Sequence, residues 1–272
     1  MSAPNMLFPD KLMKLVGTPS APVVIDIRTD DDFNADPRFI PAAIRRSHIE
    51  IADWAPGFAG KTVITVCQHG AKLSHGAAAW LRHAGADAAA LAGGFDGWKQ
   101  ARLPLVPLAR IPQRNIQGHT LWVTRARPKI DRIACPWLIR RFIDPMAVFL
   151  FVAASEVEGV ADRFGATPFD IENTFWSHRG NACTFDTMIE ELGLETDALL
   201  HLATIVRAAD TARLDLAPEA PGLLAVALGM SRMFSDDLAQ LDAGMLLYDA
   251  FYRWCRDATD ETHNWPVNSA KP

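Results

Sequence analysis

The stretch Thr62-Val63-Ile64-Thr65-Val66-Cys67-Gln68-His69-Gly70-Ala71-Lys72-Leu73-Ser74 restricts the fold more than any other part of the chain. Val63, Ile64 and Val66 make the β-branched apolar run of an interior strand in a parallel sheet. From Gly76 to Ala84, Ala, Trp and Leu recur at helical spacing. One cysteine therefore stands where a strand ends and just before a helix begins, the place where open α/β sheets hold ligands. Successive amides in such a loop form an anion-binding nest, and the helix adds its positive end. Both favour a thiolate, so Cys67 is expected to be a nucleophile, with His69, Lys72 and His75 adding positive charge. The competing reading is an inert buried cysteine.

The segments around this stretch alternate between strand and helix patterns. Residues 8–16 read as a short amphipathic helix stopped by Gly17 and Pro19, and 23–27 as a first strand. Asp30, Asp31 and Asp32 read as a helix amino terminus, a solvated cap and not a metal site. A second short strand is expected near 47–49, a helix over 75–84 and a strand at 87–91. The alternation gives an α/β domain with a parallel sheet.

The flanks resemble the rhodanese (sulfurtransferase) family over roughly residues 7 to 106. Val23-Val24-Ile25-Asp26-Ile27-Arg28 is similar to its first core strand with an Asp-x-Arg ending, and Phe39-Ile40-Pro41-Ala42-Ala43-Ile44 to its His-Ile-Pro-Gly-Ala segment. Gly93-Gly94-Phe95-Asp96-Gly97-Trp98 matches its terminal Gly-Gly-x-x-x-Trp. The resemblance implies a parallel sheet with helices on both faces and Cys67 as the catalytic residue. It also implies substrate binding by Gln68, His69, Gly70, Ala71, Lys72 and Arg28. The loop departs from the common Cys-x-x-Gly-x-Arg-Ser by Lys72 and Leu73. Lysine keeps the charge but loses the planar fork that grips oxyanions. Leu73 also makes the related Cys-x5-Arg phosphatase loop a poor match.

Residues 102–120, with Pro104, Pro107 and Pro112, read as an extended boundary. The expected organisation is a first domain at 1–108, a linker at 109–118, a helix-rich α+β domain at 119–260 and a tail at 261–272. Each half has its own pattern and length for a core, so independent folding is expected. Thr120 to Arg125 and Val148 to Val152 read as strands, 130–143 as a helix that Pro136 starts or kinks, and 155–164 as a helix ended by Gly165. Phe169-Asp170-Ile171 reads as a strand. Thr184 is expected to cap a helix to Leu192, with further helices at 196–209, 218–231 and 235–257. This half resembles the C-terminal domain of the bacterial chromate-resistance protein family. The resemblance rests on Trp122–Arg132, Trp137–Asp144, His178-Arg179-Gly180, Cys183-Thr184-Phe185 and Ile205–Asp210.

Within it Arg125, Arg127, Lys129, Arg132, Arg140 and Arg141 crowd together, opposed inside that span only by Asp131. Arg125, Arg127 and Arg132 are the candidate oxyanion site, weighed against internal ion pairs. His178 and Asp210 are the candidate transition-metal ligands, with Asp131, Asp170 and Cys183 as further donors and structural hydrogen bonding as the alternative. The Met230, Met233 and Met245 set reads as core.

Four scattered cysteines give neither a zinc ribbon nor a disulfide framework and suit a reducing cytoplasm. Met1-Ser2-Ala3-Pro4 lacks the regions of a secretory signal, and no apolar run nears the ~20 residues of a membrane span. Lys and Arg outnumber Asp and Glu 12 to 10 in residues 1–112 and are outnumbered 22 to 15 in residues 113–272. Neither half has the basic excess of a nucleic-acid binder. The expected function is a cytoplasmic sulfurtransferase moving sulfane sulfur from thiosulfate or a persulfide through Cys67 to a thiol acceptor. Sulfur transfer requires no cofactor; a transition metal is the candidate cofactor of the second domain. The expected partners are the small-molecule donor and acceptor, with no membrane and no nucleic acid. The other reading, which the second resemblance implies, is a non-catalytic oxyanion or redox sensor or a regulator of chromate resistance.

Overall fold

The computed structural model describes residues 5–261. The expectations for Met1 to Pro4 and for tail residues 262–272 lie outside the described residues. The first half runs β1 (Met6–Leu7), α1 (Pro9–Met13), β2 (Val23–Asp26), α2 (Asp30–Ala35), β3 (Arg38–Phe39), β4 (Ile44–Arg45) and α3 (Ile51–Trp54). It continues through β5 (Thr62–Val66), α4 (Lys72–His83), β6 (Asp87–Leu91), α5 (Gly94–Gln100) and β7 (Val106–Pro107). β1, β6, β5, β2 and β4 form one sheet in that order, every pair parallel. β5 is central, and Val63, Ile64, Thr65 and Val66 are all buried. The β-branched run is therefore an interior strand covered on both faces.

The acidic run Asp30 to Asp32 opens α2, with the Thr29 hydroxyl accepting from the Asp32 amide at 3.2 Å. The strand expected at 47–49 forms instead at Ile44–Arg45, paired with Ile25 and Asp26. Beyond it the chain turns away, and the Ser47 carbonyl takes the Trp54 indole N–H at 2.8 Å. Asp36, just after α2, receives a two-pronged pair from Arg38 (2.6 Å each) and the Lys99 ammonium at 2.7 Å. The Arg38 hydrogen bonds hold its carboxyl well below the usual carboxylate range against the opposing effect of burial. A carboxylate depressed in the folded state stabilises above its unfolded pKa and loses that contribution as pH falls. Asp36→Asn should lower the melting temperature at pH 7 by about 2–4 °C. The gap to wild type should close below about pH 4. A gap that stayed constant down to pH 2 would argue against this role.

The second half consists of β8 (Leu121–Arg125), α6 (Ile130–Phe142), β9 (Val148–Val152), α7 (Val157–Phe164), β10 (Thr167–Pro168), α8 (Thr184–Glu191), α9 (Asp197–Asp210), α10 (Ala220–Met233) and α11 (Asp237–Asp257). Its sheet is small and parallel, in the order β10-β8-β9. Helices α6, α8, α9 and α11 carry most of its buried residues. α6 passes through Pro136 rather than starting there. The strand placed at Phe169–Ile171 pairs earlier, at Thr167–Pro168. The cap of α8 is Cys183 and not Thr184, with the Asp186 carboxylate accepting from the Cys183 amide at 2.9 Å.

The stretch expected to be a loose boundary is pinned on both sides. β7 pairs antiparallel with β3, Arg110 meets Glu191 at 2.8 Å, and Arg114 meets Asp144 at 3.0 Å. One buried cluster runs from Leu12, Val16, Phe39 and Trp98 of the first half to Trp137, Phe142 and Tyr252 of the second. This continuity opposes the expectation of two independent cores. Among the described residues no helix is long and apolar enough to cross a membrane.

Candidate functional sites

Cys67 follows β5 directly, and the loop Gln68 to Ala71 returns the chain into α4. The residue is 5% exposed. Its Sγ accepts from the Ala71 amide at 3.3 Å and lies 3.2 Å from the Ser74 hydroxyl. That hydroxyl is also 3.1 Å from the Ala71 carbonyl. It can turn its one proton to the carbonyl while a thiol donates to its Oγ, or toward the sulfur when the sulfur is an anion. The serine of the family pattern is thus found one position later, at 74, while Leu73 packs into the core beneath the loop.

The Gly-Gly turn explains how the loop is held. The amides of Phe95 and Asp96 donate to the carbonyls of Cys67 (2.9 Å) and Gln68 (3.0 Å). Gly70 and Gly94 both have positive φ, 65° and 59°, and sit back to back. A Cβ on Gly94 would lie 2.2 Å from the Cys67 carbonyl oxygen and 2.3 Å from the Gly70 nitrogen. Trp98 is fully buried and closes the turn with its indole N–H on the Pro104 carbonyl at 2.8 Å. Asp96 organises two loop side chains: Gln68 Nε2 donates to it at 2.7 Å, and His69 Nδ1 lies 2.6 Å from its other oxygen. Lys72 opens α4 and is exposed.

Arg28 is not part of this binding surface. Its side chain is fully buried, and its guanidinium donates to Asp26, to the carbonyl of Asp36 at 3.0 Å and to that of Arg38 at 2.7 Å. It also lies over the Phe95 ring at 3.8 Å. The Asp-x-Arg pair fastens β2 to the segment that follows, and the guanidinium is sealed from solvent.

In the second half, charged groups converge beyond the carboxyl ends of β8 and β10. His178, in the connection from β10 to α8, places Nε2 3.5 Å from Asp131 Oδ2, 3.4 Å from Asp170 Oδ1 and 3.3 Å from Asp210 Oδ2. Asp131 comes from the first turn of α6, Asp170 follows β10, and Asp210 ends α9. The Thr184 amide donates to Asp131 Oδ2 at 2.6 Å and its hydroxyl to Asp170 Oδ1 at 3.1 Å. Arg125 and Arg132 reach Asp170 Oδ2 at 3.1 and 3.3 Å.

These neighbours split the carboxylates. Burial pushes Asp131 up to about 6, although His178 draws it down. Burial also pushes Asp170 up, but His178, Arg125 and Arg132 together bring it below the usual range. Hydrogen bonding to Asp131, Asp170 and Asp210 raises His178 to about 12. Burial drives the thiols of Cys135 and Cys183 well up, and the nearby carboxylates add to the effect. Cys183 serves as the cap of α8 and is not one of the side chains that converge on His178.

The arginine cluster does not form one anion pocket. Arg125 serves Asp170; Arg132 bonds Asp170 and the carbonyls of Arg125 and Ala126. Arg127 is spent on the carbonyls of Ser231 and Phe234, Arg140 on Asp242 and Arg141 on Asp249. Internal ion pairing, the alternative weighed for this cluster, describes it. Apart from the two carbonyls that Arg132 takes locally, the partners come from distant segments, Asp170 and the α10–α11 region, which no local pattern signals.

Comparison with known proteins matches these two units. Residues 8–101 match the rhodanese-like domain, and residues 122–255 match the C-terminal domain of ChrB. The chain thus joins a region similar to rhodanese-like domains to a region similar to the ChrB C-terminal domain. Protein ChrB of Cupriavidus metallidurans is 35% identical over 146 residues, 52% of this chain and 43% of that relative. The chain therefore spans less than half the length of that curated relative. A rhodanese-related protein from Thermoplasma volcanium aligns over 38% of this chain and 98% of its own at 21% identity, with a TM-score of 0.33. A rhodanese-like domain protein from Staphylococcus aureus aligns over 35% of this chain and 91% of its own at 27% identity, with a TM-score of 0.31.

Proposed function

We propose that the protein moves sulfane sulfur through Cys67. The observation that carries this reading is the Cys67 sulfur resting against the Ala71 amide and the Ser74 hydroxyl at the end of a central parallel strand. With thiosulfate, the Cys67 thiolate attacks the outer sulfur, the S–S bond of thiosulfate breaks, and sulfite leaves with the bonding pair. The product is a Cys67 persulfide. A thiolate acceptor then attacks its terminal sulfur and releases Cys67 as the thiolate, so the cycle is redox-neutral. The Ala71 amide and Ser74 hydroxyl stabilise the anionic sulfur, and the exposed Lys72 receives the departing oxyanion. Gln68 and His69, fixed by Asp96, shape the entrance. A persulfide serves as donor by the same displacement. The resemblance of the second domain supports a link between this chemistry and resistance to chromate or oxidative stress, and the scattered cysteines suit a reducing cytoplasm.

A second reading is a sensor in which Cys67 is modified once without turnover; the burial of Cys67 and the loss of an arginine fork at Lys72 favour it. Incubation with thiosulfate should add one sulfur mass to Cys67, and the adduct should be absent in Cys67→Ser. Thiol-dependent sulfide release over many turnovers is expected of the enzyme, whereas one equivalent supports the sensor. No adduct with thiosulfate or a low-molecular-weight persulfide would remove the sulfur-transfer reading and leave only a sensor that responds by oxidation of Cys67.

A further inference from the structure

The His178 cluster is separate from the sulfur chemistry. Asp131, Asp170 and His178 each bring one ligand atom within 4.8 Å of the other two, and Asp210 reaches the same His178 nitrogen. We propose that these side chains bind a single divalent first-row transition-metal ion, with Asp131, Asp170 and His178 as the protein ligands and Asp210 beside them.

Three observations support the site. The first is spacing. Donors about 2.1 Å from a common ion stand roughly 3.0 Å apart at right angles and roughly 3.4 Å apart at tetrahedral angles. The His178 nitrogen stands 3.3–3.5 Å from three carboxylate oxygens. An imidazolium acting alone has one proton on that nitrogen and would close on one acceptor at about 2.7–2.9 Å.

The second is an unmet demand. Asp131 is 1% exposed, yet its Oδ1 has no hydrogen-bond partner. A buried carboxylate oxygen without a partner is costly, and a cation relieves it. The third is support from outside the ligands. The Thr184 amide and hydroxyl, Arg125 and Arg132 fix Asp131 and Asp170 in place, as orienting hydrogen bonds do around metal ligands.

The donor set selects the ion class. Imidazole suits zinc, iron and their neighbours, and carboxylates suit harder ions such as manganese. The cluster holds two carboxylates and an imidazole and no thiol, which disfavours soft monovalent copper. Three protein donors leave coordination positions open, and the His178 side chain is 41% exposed, which puts them toward solvent.

The full chain carrying Cys67→Ser, which removes the loop thiol as a rival ligand, should be stripped with EDTA. It is then titrated with manganese(II), cobalt(II), zinc(II) and, without oxygen, iron(II). One equivalent should bind and raise the melting temperature by mass action. His178→Gln and Asp170→Asn should each weaken binding at least 10-fold, and Asp10→Asn in the first domain should not. Because Asp170→Asn also unpairs two arginines, manganese-bound protein should be examined by pulsed electron resonance for coupling to an imidazole nitrogen. That coupling should vanish in His178→Gln. Absence of saturable binding for all four ions, binding indifferent to both substitutions, or bound manganese with no nitrogen coupling would each overturn the site.

Discussion

Gly94→Ala should remove more than ~3 kcal/mol from the stability of the protein and cut sulfur loading of Cys67 at least 100-fold. The new Cβ would sit 2.2 Å from the Cys67 carbonyl oxygen and 2.3 Å from the Gly70 nitrogen. Both are backbone atoms, so no side-chain rotation relieves the collision. The backbone at 94 has φ 59°, a region that adds about 1–2 kcal/mol for a residue with a Cβ. To make room, α5 must withdraw from the loop and give up the Phe95 and Asp96 amide bonds to it. Gly76→Ala provides the contrast: this glycine lies within α4 and nothing stands within 4 Å of its added carbon. It should stabilise by roughly 0.5–1 kcal/mol and leave loading intact. Urea unfolding and mass spectrometry of thiosulfate-treated protein measure both. A Gly94→Ala variant as stable and as readily loaded as wild type would mean that the two loops do not depend on each other.

This dependence shows which features a linear sequence can carry. The β5–α4 unit was legible because its signals are local: a β-branched run, a polar loop and a helical pattern in succession. The Gly93-Gly94 pair was legible as part of a motif, but its cause was not. The reason lies in a backbone 24 residues away, at Gly70, with the same left-handed conformation. Arg28 was misplaced for the complementary reason. A guanidinium near an active-site motif suggests oxyanion binding, and only the fold shows it fully buried and paired with Asp26. Ser74 was quoted within the loop yet given no role, since a shift of one position from the family pattern hid its contact with Cys67.

The second domain follows the same logic. His178 was singled out by its polar-aromatic setting, and Asp131, Asp170 and Asp210 were named as residues that could join it. Their meeting depends on the start of α6, the segment after β10 and the end of α9 coming to one place, and no spacing in the chain encodes that. The arginine cluster was legible as charge and illegible as structure. Its acceptors come from α11, from the end of α10 and from Asp170, so what looked like an excess of positive charge is largely neutralised within the domain.

Phe142→Ala should destabilise both halves of the chain together, by about 3–5 kcal/mol. The ring is 1% exposed and lies against Trp137 and Tyr252, with centroids 5.8 and 5.6 Å away. Its far edge presses on Gly17 of the first half so closely that a Cβ there would fall 2.3 Å from the ring. The Phe142 carbonyl also accepts the Ala42 amide at 2.5 Å, and Arg256 of α11 donates to the Lys14 carbonyl at 2.9 Å. Gly193 meets the Leu105 carbonyl on the other side of the same seam. Removing the ring leaves a cavity shared by both halves, with walls held by backbone bonds that prevent easy collapse. Hydrogen exchange read on peptides from β5 and from α6 should therefore accelerate in parallel. Wild type should unfold in one thermal transition, and separately produced fragments 1–112 and 113–272 should each expose apolar surface and aggregate. If exchange in β5 kept its wild-type rate while α6 opened, or if both fragments folded cooperatively alone, the seam would be a contact between two finished domains and not part of a common core.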